Sequence, residues 1–89
     1  MRSISHTSQF KRDYRKRARD AGLDDLLGQI IDLLVAGRPL EPKFRDHPLK
    51  GGFAGCRECH LRPDLLLIYI QSATELKLVR LGSHSGLFD

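Results

Sequence analysis

The chain has no hydrophobic run long enough to cross a membrane. Its longest apolar stretch, residues 65–70, has the length of a β-strand, whereas a transmembrane helix needs about 20 apolar residues. Residues 1–6 also lack the apolar segment of a secretory signal peptide. We therefore expect a cytoplasmic protein with no membrane partner, in which the two cysteines, Cys56 and Cys59, are reduced thiols.

The sequence also lacks internal repeats, low-complexity segments and domain linkers. Its 89 residues provide one modest core, so any functional site is expected to be shallow and to lie on a surface. Apolar residues make up 40% of the chain and charged residues 29%, which is typical of a folded protein and argues against disorder. We predict a single domain over residues 1–89.

Positive charge is concentrated in one short segment. The net charge is +4, and residues 11–19 contain six of the lysines and arginines. Such clustering favours a polyanionic partner, because cations that neutralise phosphates release counterions. The alternative is an ordinary solvated helix face, and charge alone does not decide between the two.

The first half of the chain is predicted to form two helices. A short strand at residues 2–5 precedes a basic helix that begins at residue 7 or 8 and runs to about residue 21, where Gly22 ends it. A second helix begins near residue 24 and ends at Gly37. Its leucine and isoleucine residues repeat at i, i+3, i+4 and i+7, which is typical of an amphipathic helix.

The second half is predicted to form the sheet. A loop region rich in proline and glycine spans residues 38–52, and strands are expected at residues 53–61, 65–70 and 75–81. Because the connections are short, these strands should run antiparallel. The predicted fold class is α+β, with two N-terminal helices packed on one face of a small, mainly antiparallel twisted sheet. The other face is expected to stay open to solvent or ligand.

Polar residues with reactive side chains lie at the predicted strand ends and turns. They are His47, Glu58, His60, Asp64, Arg80 and His84. His60 and Asp64 flank a turn and should be close in space. Arg80 and His84 are four apart and would share a face of an extended segment, unless Gly82 bends the chain. Arg80 has a second interpretation, as a partner of Glu58 across the sheet.

These residue types suit cleavage of RNA by its own 2′-hydroxyl. That reaction needs a base for the hydroxyl proton, an acid for the departing oxygen and positive charge at the phosphate. Histidine can fill either proton role near neutral pH, and arginine binds phosphate oxygens through its fork of donors. No metal ion is required, because the nucleophile belongs to the substrate.

Four ordered sequence blocks in the second half resemble a known family. They read DHPLKG at residues 46–51, GCRECHLRPD at 55–64, LLIY at 66–69 and RLGSHSGLF at 80–88. They are similar to YafQ-type toxins of the RelE superfamily of bacterial type II toxin–antitoxin systems. The resemblance spans residues 44–89 with its motifs in order, while the first half agrees only in general character.

The resemblance implies a metal-free and cofactor-free, ribosome-dependent endoribonuclease that cleaves mRNA in the decoding site. It also implies inhibition by a cognate antitoxin, and contact with promoter DNA only through the antitoxin complex. By position, His84 would be the leading proton-transfer residue, with Asp64 or His60 as its counterpart. Arg80 would hold the scissile phosphate and His47 would orient the RNA.

The resemblance also implies RNA-binding residues outside the reacting groups. They are Phe88, which would stack on a base, and Lys50 and Arg57. The alternative for Phe88 is a plug that packs against the sheet. One departure concerns Leu65, which stands where this family often has tryptophan, and an aromatic contact with RNA would be lost there. In the GCR segment, Cys56 stands where an aromatic residue is common.

Four other interpretations fit part of the pattern. Residues 56–60 match the C-x-x-C-H haem attachment pattern, and Cys56, Cys59, His60 and His84 could in number form a zinc site. Both are disfavoured because residues three apart in a strand point to opposite faces. A non-enzymatic nucleic-acid-binding module would explain the basic helix but not the histidines, and an inactive toxin-like relative would explain both.

Overall fold

The computed structural model describes residues 1–88, in which three helices flank a five-stranded sheet. The strands are β1 (Ser3–His6), β2 (His47–Pro48), β3 (Arg57–Arg62), β4 (Leu65–Gln71) and β5 (Glu75–Gly82). The helices are α1 (Ser8–Arg15), α2 (Leu23–Val35) and α3 (His84–Phe88). The strand order is β1-β5-β4-β3-β2, with β1 parallel to β5 and every other pair antiparallel. The predicted α+β class with a mainly antiparallel sheet is confirmed.

Helix α1 begins as predicted but ends early. The Thr7 hydroxyl accepts a hydrogen bond from the Phe10 backbone N–H at 2.9 Å and caps the helix. The helix ends at Arg15 and is followed by turns, so the prediction that it reaches residue 21 is wrong. Residues 15–20 carry charged side chains with little apolar surface to pack on the sheet. Gly22, at a φ of 77°, is the N-cap of α2 and not the end of α1.

The main core lies between the two long helices and one face of the sheet. Helix α2 contributes its apolar stripe, as predicted, and Phe10 of α1 joins it. The sheet side of this core consists of Cys59, Leu61, Leu65, Leu67, Tyr69, Leu76, Leu78 and Leu81. No helix in the described part of the chain has the length and apolar character needed to span a bilayer.

The second face of the sheet is less open than expected. Leu66 and Ile68 of β4 are fully buried there, because β4 is apolar on both faces. They are covered by a smaller cluster whose other members are Leu49, Phe53, Cys56, Val79 and Leu87. The loop before β3 and the short helix α3 therefore close the centre of this face, whereas the sequence offered only Phe88, as an alternative, for such a role. Polar residues lie around that apolar centre.

A bulge in β5 sets the direction of Arg80. Val79 is an extra residue between two registered pairs, and Arg80 lies opposite Ile68, on the face away from α2. The strand ends at Gly82, and His84 is the first residue of α3. The expectation that Arg80 and His84 share one extended segment is therefore wrong, because the strand ends at Gly82 and α3 begins at His84.

Candidate active site

Two imidazoles share one buried carboxylate where β2 meets β3. His47 Nε2 lies 2.9 Å from Glu58 Oε2, and His60 Nε2 lies 3.7 Å from the same oxygen. Glu58 is buried, and its other oxygen, Oε1, has no hydrogen-bond partner among the described residues. The sequence singles out Glu58 among the polar residues of the second half, but the only role predicted for it was as a partner for Arg80. Its spacing from His60 is the signal that could have placed it here, because residues two apart share one face of a strand.

The orientation of His47 is set at both ring nitrogens. Nδ1 lies 2.6 Å from the carbonyl oxygen of Arg45, and Nε2 faces the Glu58 carboxylate. These two contacts, one at each ring nitrogen, fix the plane of the His47 imidazole.

Asp46 anchors the chain next to His47. The Tyr69 hydroxyl donates a hydrogen bond to Asp46 Oδ1, and Arg57 Nε donates to the same oxygen at 3.3 Å. Burial and the hydrogen bond to Asp46 raise the pKa of Tyr69, so the hydroxyl stays protonated as a donor. Burial opposes the charge of Arg57, but its hydrogen bonds to Asp46 and Tyr69 outweigh burial and raise its pKa.

The hydrogen bond to Asp46 holds the side chain of Arg57 away from His47 and His60. Arg57 lies opposite Tyr69 in the β3–β4 pairing, and Tyr69 belongs to the core under the helices. The structure therefore does not bring Arg57 together with His47 and His60. Lys50, the other predicted basic contact to RNA, is exposed in the loop after β2.

A second group of predicted residues surrounds the start of α3. The His84 backbone N–H donates to Asp64 Oδ1 at 3.0 Å, so Asp64 anchors the helix by its main chain. The His84 ring packs against Phe88 with ring centroids 5.1 Å apart, and Phe88 meets the edge of Phe53 at 5.6 Å. Phe88 is 39% exposed, so it is only partly a plug against the sheet. His84 and Asp64 are both exposed.

Arg80 does not pair with Glu58. Its Nε donates to Asp13 Oδ2 at 2.8 Å and one terminal nitrogen donates to Asp13 Oδ1 at 3.3 Å. Asp13 is buried on α1 and was not singled out by the sequence. Nothing in the local pattern marks it, because its partner lies 67 positions away.

Cross-strand register relates these groups to one another. His47, Glu58, Ile68 and Arg80 form one row across β2, β3, β4 and β5. The neighbouring row runs from His60 through Leu66 to Gly82, directly before α3. Strands are about 4.8 Å apart, so each row spans on the order of 10–15 Å. The predicted residues therefore surround the apolar centre of one sheet face without touching as a single cluster.

The chain matches a protein-family model over residues 2–89. The model describes the bacterial toxin of type II toxin–antitoxin systems, YafQ. The chain belongs to the YafQ family.

Individual YafQ relatives agree with this assignment. The chain is 34% identical over 91 residues to the mRNA interferase toxin YafQ of Escherichia coli K12, covering 98% of this chain and 96% of the relative. The crystal structure of the E. coli DinJ–YafQ complex contains a chain with a TM-score of 0.89 and 31% identity, with full coverage of both. A metal-bound toxin from Helicobacter pylori has a TM-score of 0.91 and 44% identity, covering 99% of this chain and 100% of that one.

The two cysteines of this YafQ-family chain lie on opposite faces of the sheet. Cys59 is buried in the main core and Cys56 in the cluster on the other face, as the strand spacing predicts. Burial raises the pKa of Cys59 to about 12, so its thiol is protonated at neutral pH. Within residues 1–88, no three side chains of His, Cys, Asp or Glu are arranged to hold a metal ion.

Leu65 stands at the position where YafQ-type toxins often have tryptophan, which was expected to contact RNA. Its side chain is 3% exposed and packs in the core beneath the helices. A side chain at this position faces away from the row of His47, Glu58 and Arg80. In this chain, position 65 therefore contributes to packing.

Proposed function

We propose that this YafQ-family chain is a ribosome-dependent mRNA endoribonuclease, inhibited by a cognate antitoxin and independent of metal ions. The E. coli relative is named an mRNA interferase, and the E. coli DinJ–YafQ complex supports an antitoxin partner. The antitoxin complex, not the toxin alone, would contact promoter DNA. The observation that carries the proposal is the row of His47, Glu58 and Arg80 on one face of the sheet, beside the row that leads from His60 to α3.

The reaction proceeds through attack by the RNA 2′-oxygen. A base removes the 2′-hydroxyl proton, the oxygen forms a bond to phosphorus, and the bond from phosphorus to the 5′-oxygen breaks. The products are a 2′,3′-cyclic phosphate and a 5′-hydroxyl that receives a proton from the acid. Each positioned proton-transfer group contributes roughly 10²- to 10⁴-fold in rate.

The residues divide these tasks according to their placement. His84, exposed at the start of α3, is the leading proton-transfer residue, with His60 or Asp64 as its counterpart. Arg80 binds the scissile phosphate. His47 orients the RNA, and the Glu58 carboxylate holds the rings of His47 and His60 in place.

Base stacking would use the aromatic edge of the site. Phe88 is partly exposed and is braced by the edge contact with Phe53. Stacking on such a ring is worth roughly 1–3 kcal/mol per base. Of the two basic residues predicted to contact RNA, Lys50 is the better placed, because it carries no contact to a protein carboxylate among the described residues. Arg57 is held by Asp46 opposite Tyr69, away from His47 and His60, and would have to be released to reach RNA.

The experiment adds purified protein to translating ribosomes that carry a defined mRNA and maps the new 5′ ends. Wild-type protein should cut the mRNA and leave cyclic-phosphate termini, and it should remain active when the purified protein is stripped with chelator and then freed of chelator before it meets the ribosomes. His84→Ala should reduce cleavage by roughly 10²-fold or more while ribosome binding stays nearly unchanged. Addition of the antitoxin should stop the reaction.

The matched control is His6→Ala. His6 is the remaining histidine, lies on β1 and packs near Phe10, away from both rows. This variant should cleave like wild type. If wild-type protein binds ribosomes but leaves the mRNA uncut, the chain is a binding module or an inactive relative. If chelator treatment of the purified protein, before it is added to ribosomes, abolishes cleavage, the metal-free mechanism is wrong.

A further inference from the structure

Asp13 is a buried charge with no part in the reaction proposed above. It is 5% exposed, although its neighbours on α1, including Lys11, Arg12 and Arg15, are exposed. Removing a carboxylate from water is costly unless its oxygens are fully hydrogen-bonded. The surroundings of Asp13 therefore have to supply several donors.

Four donors surround the Asp13 carboxylate. Arg80 Nε and the Leu81 backbone N–H donate to Oδ2 at 2.8 and 3.0 Å. Another nitrogen of Arg80 and Gln9 Nε2 donate to Oδ1 at 3.3 and 3.1 Å. Burial by itself would raise the pKa of Asp13, but these hydrogen bonds outweigh burial and lower it. The carboxylate is thus a charged acceptor at neutral pH.

The two-point contact fixes the guanidinium plane of Arg80. An arginine has five N–H donors, and Asp13 occupies one on Nε and one on a terminal nitrogen. The remaining donors are left for a ligand. Because the same carboxylate also accepts from the backbone of Leu81, it is tied directly to β5. These hydrogen bonds therefore fix the guanidinium group of Arg80 relative to both α1 and β5.

The fixed guanidinium lines a cleft between α1 and α3. The cleft has a volume of about 280 Å³, and its wall includes Lys16, Arg17, Ser83 and Gly86. Lys16 and Arg17 form no ion pair within residues 1–88. With Asp13 neutralised by Arg80, the lining is positively charged and suits an anionic phosphate.

We propose that Asp13 is the positioning residue that holds Arg80 in the orientation that binds the RNA phosphate in this cleft. The inference rests on the proposed ribonuclease function and deepens it. A donor that is already oriented stabilises developing charge without reorganising during the reaction. Asp13 acts through Arg80 and touches neither the RNA nor the reacting atoms.

The test compares Asp13→Asn with Asp20→Asn as a matched control. Asp20 pairs with Arg62 at 2.6 Å, so both variants neutralise the carboxylate of an aspartate–arginine pair. Asp13→Asn should lower kcat on ribosome-bound mRNA by about tenfold or more with a smaller change in KM. Asp20→Asn should leave kcat within about twofold of wild type.

A double-mutant cycle separates positioning from a general effect on the fold. If Asp13 acts through Arg80, Asp13→Asn should lower the rate by less than about twofold when Arg80 is already alanine. Equal losses in the wild-type and Arg80→Ala backgrounds would show that Asp13 supports only the fold, and the inference would be overturned.

Two further measurements keep the inference testable in every case. The side-chain Nε–H of Arg80 should be protected from hydrogen exchange in wild type and exchange faster in Asp13→Asn. If Asp13→Asn does not fold, Asp13→Glu provides the test. Glutamate keeps the charge but its side chain is longer by one methylene, so Arg80 should lose its orientation and kcat should fall. A kcat equal to wild type would overturn the inference. A wild-type protein that leaves mRNA uncut refutes the proposed function, whereas an active Asp13→Asn variant refutes this inference alone.

Discussion

At the scale of single residues, carboxylates set the geometry of the proposed active site. Glu58 orients two imidazoles, Asp46 anchors the chain beside His47, and Asp64 holds the start of α3. Each places a group that the proposed reaction uses. In this small protein, several acidic side chains therefore organise the site from within the fold.

Asp13 predicts a pH dependence of stability. Its pKa in the folded state lies below the ordinary value of 3.8, because hydrogen bonds from Arg80, Leu81 and Gln9 outweigh burial. A group with a depressed folded-state pKa stabilises the protein above its unfolded pKa, and this contribution disappears as the pH falls through the folded pKa. The stability advantage of wild type over Asp13→Asn should therefore be largest near neutral pH and shrink in acid.

Thermal denaturation from about pH 7 to about pH 2 measures this difference in Tm. Asp20→Asn serves again as the comparison, since Asp20 is only partly buried. A difference in Tm between wild type and Asp13→Asn that stays constant across this range would show that the Asp13 charge does not stabilise the fold.

At the scale of elements, α3 carries two proposed functional side chains on very little structure. It has five residues, and Leu87 is its buried anchor, packed with Leu66 and Ile68. Leu87 packs closely against the end of β5, because a Cβ added at Gly82 would lie 3.2 Å from Leu87 Cδ2. The position of α3, and therefore the positions of His84 and Phe88, depends on the side chain of Leu87.

Leu87→Ala should therefore affect both stability and activity. Truncating a buried leucine costs roughly 2–5 kcal/mol, and Leu87 should fall near the lower end because α3 is short and terminal. Cleavage should fall further than the loss of folded protein explains, since the ring of His84 loses its fixed position. Urea denaturation and kcat on ribosome-bound mRNA measure the two effects.

Ile4→Ala is the comparison for this variant. Ile4 is 54% exposed on β1, so its truncation should cost well under 1 kcal/mol and leave kcat unchanged. If Leu87→Ala cleaves mRNA like wild type at temperatures where it is folded, α3 does not position the catalytic groups.

The long elements were predictable from sequence and the short ones were not. The periodicity of α2 and the apolar run of β4 are strong local signals, and both elements lie within a few residues of their predicted ends. Strand β2 has two residues and exists only through pairing with β3, and α3 exists through Leu87. The residues of the proposed site were predicted from their type and from the motifs. The spacing of Glu58 from His60 is a local signal for its position, whereas Asp13 depends on a tertiary contact with Arg80 that local pattern does not encode.

At the scale of the whole molecule, charge is distributed unevenly. Lys11, Arg12 and Arg15 are exposed on α1, and Lys16 and Arg17 extend the same basic region into the cleft beside Arg80. The acidic residues Asp24 and Asp25 lie in the first turn of α2, where Asp24 accepts a hydrogen bond from Tyr14 of α1. This asymmetry suits a ribosomal RNA surface, and an acidic antitoxin could use the same charges.

Replacing Lys11 and Arg15 with glutamine should weaken ribosome binding and make it less dependent on salt. Each lost phosphate contact should reduce the slope of log affinity against log salt by about 1. Co-sedimentation with ribosomes over a range of salt concentrations measures the slope. A double variant of Arg38 and Lys43, two exposed cations outside α1, should keep the wild-type slope. Equal slopes for all three proteins would exclude α1 as the ribosome-binding surface.

The pairing of β1 with β5 has a consequence for synthesis of the protein. The Thr7 hydroxyl bonds to the carbonyl of Val79, 72 positions away, so the first strand completes the sheet beside the last. In a nascent chain, β1 therefore stays unpaired until β5, which carries Arg80, has emerged. We expect that the proposed site cannot assemble on any chain that stops short of this strand.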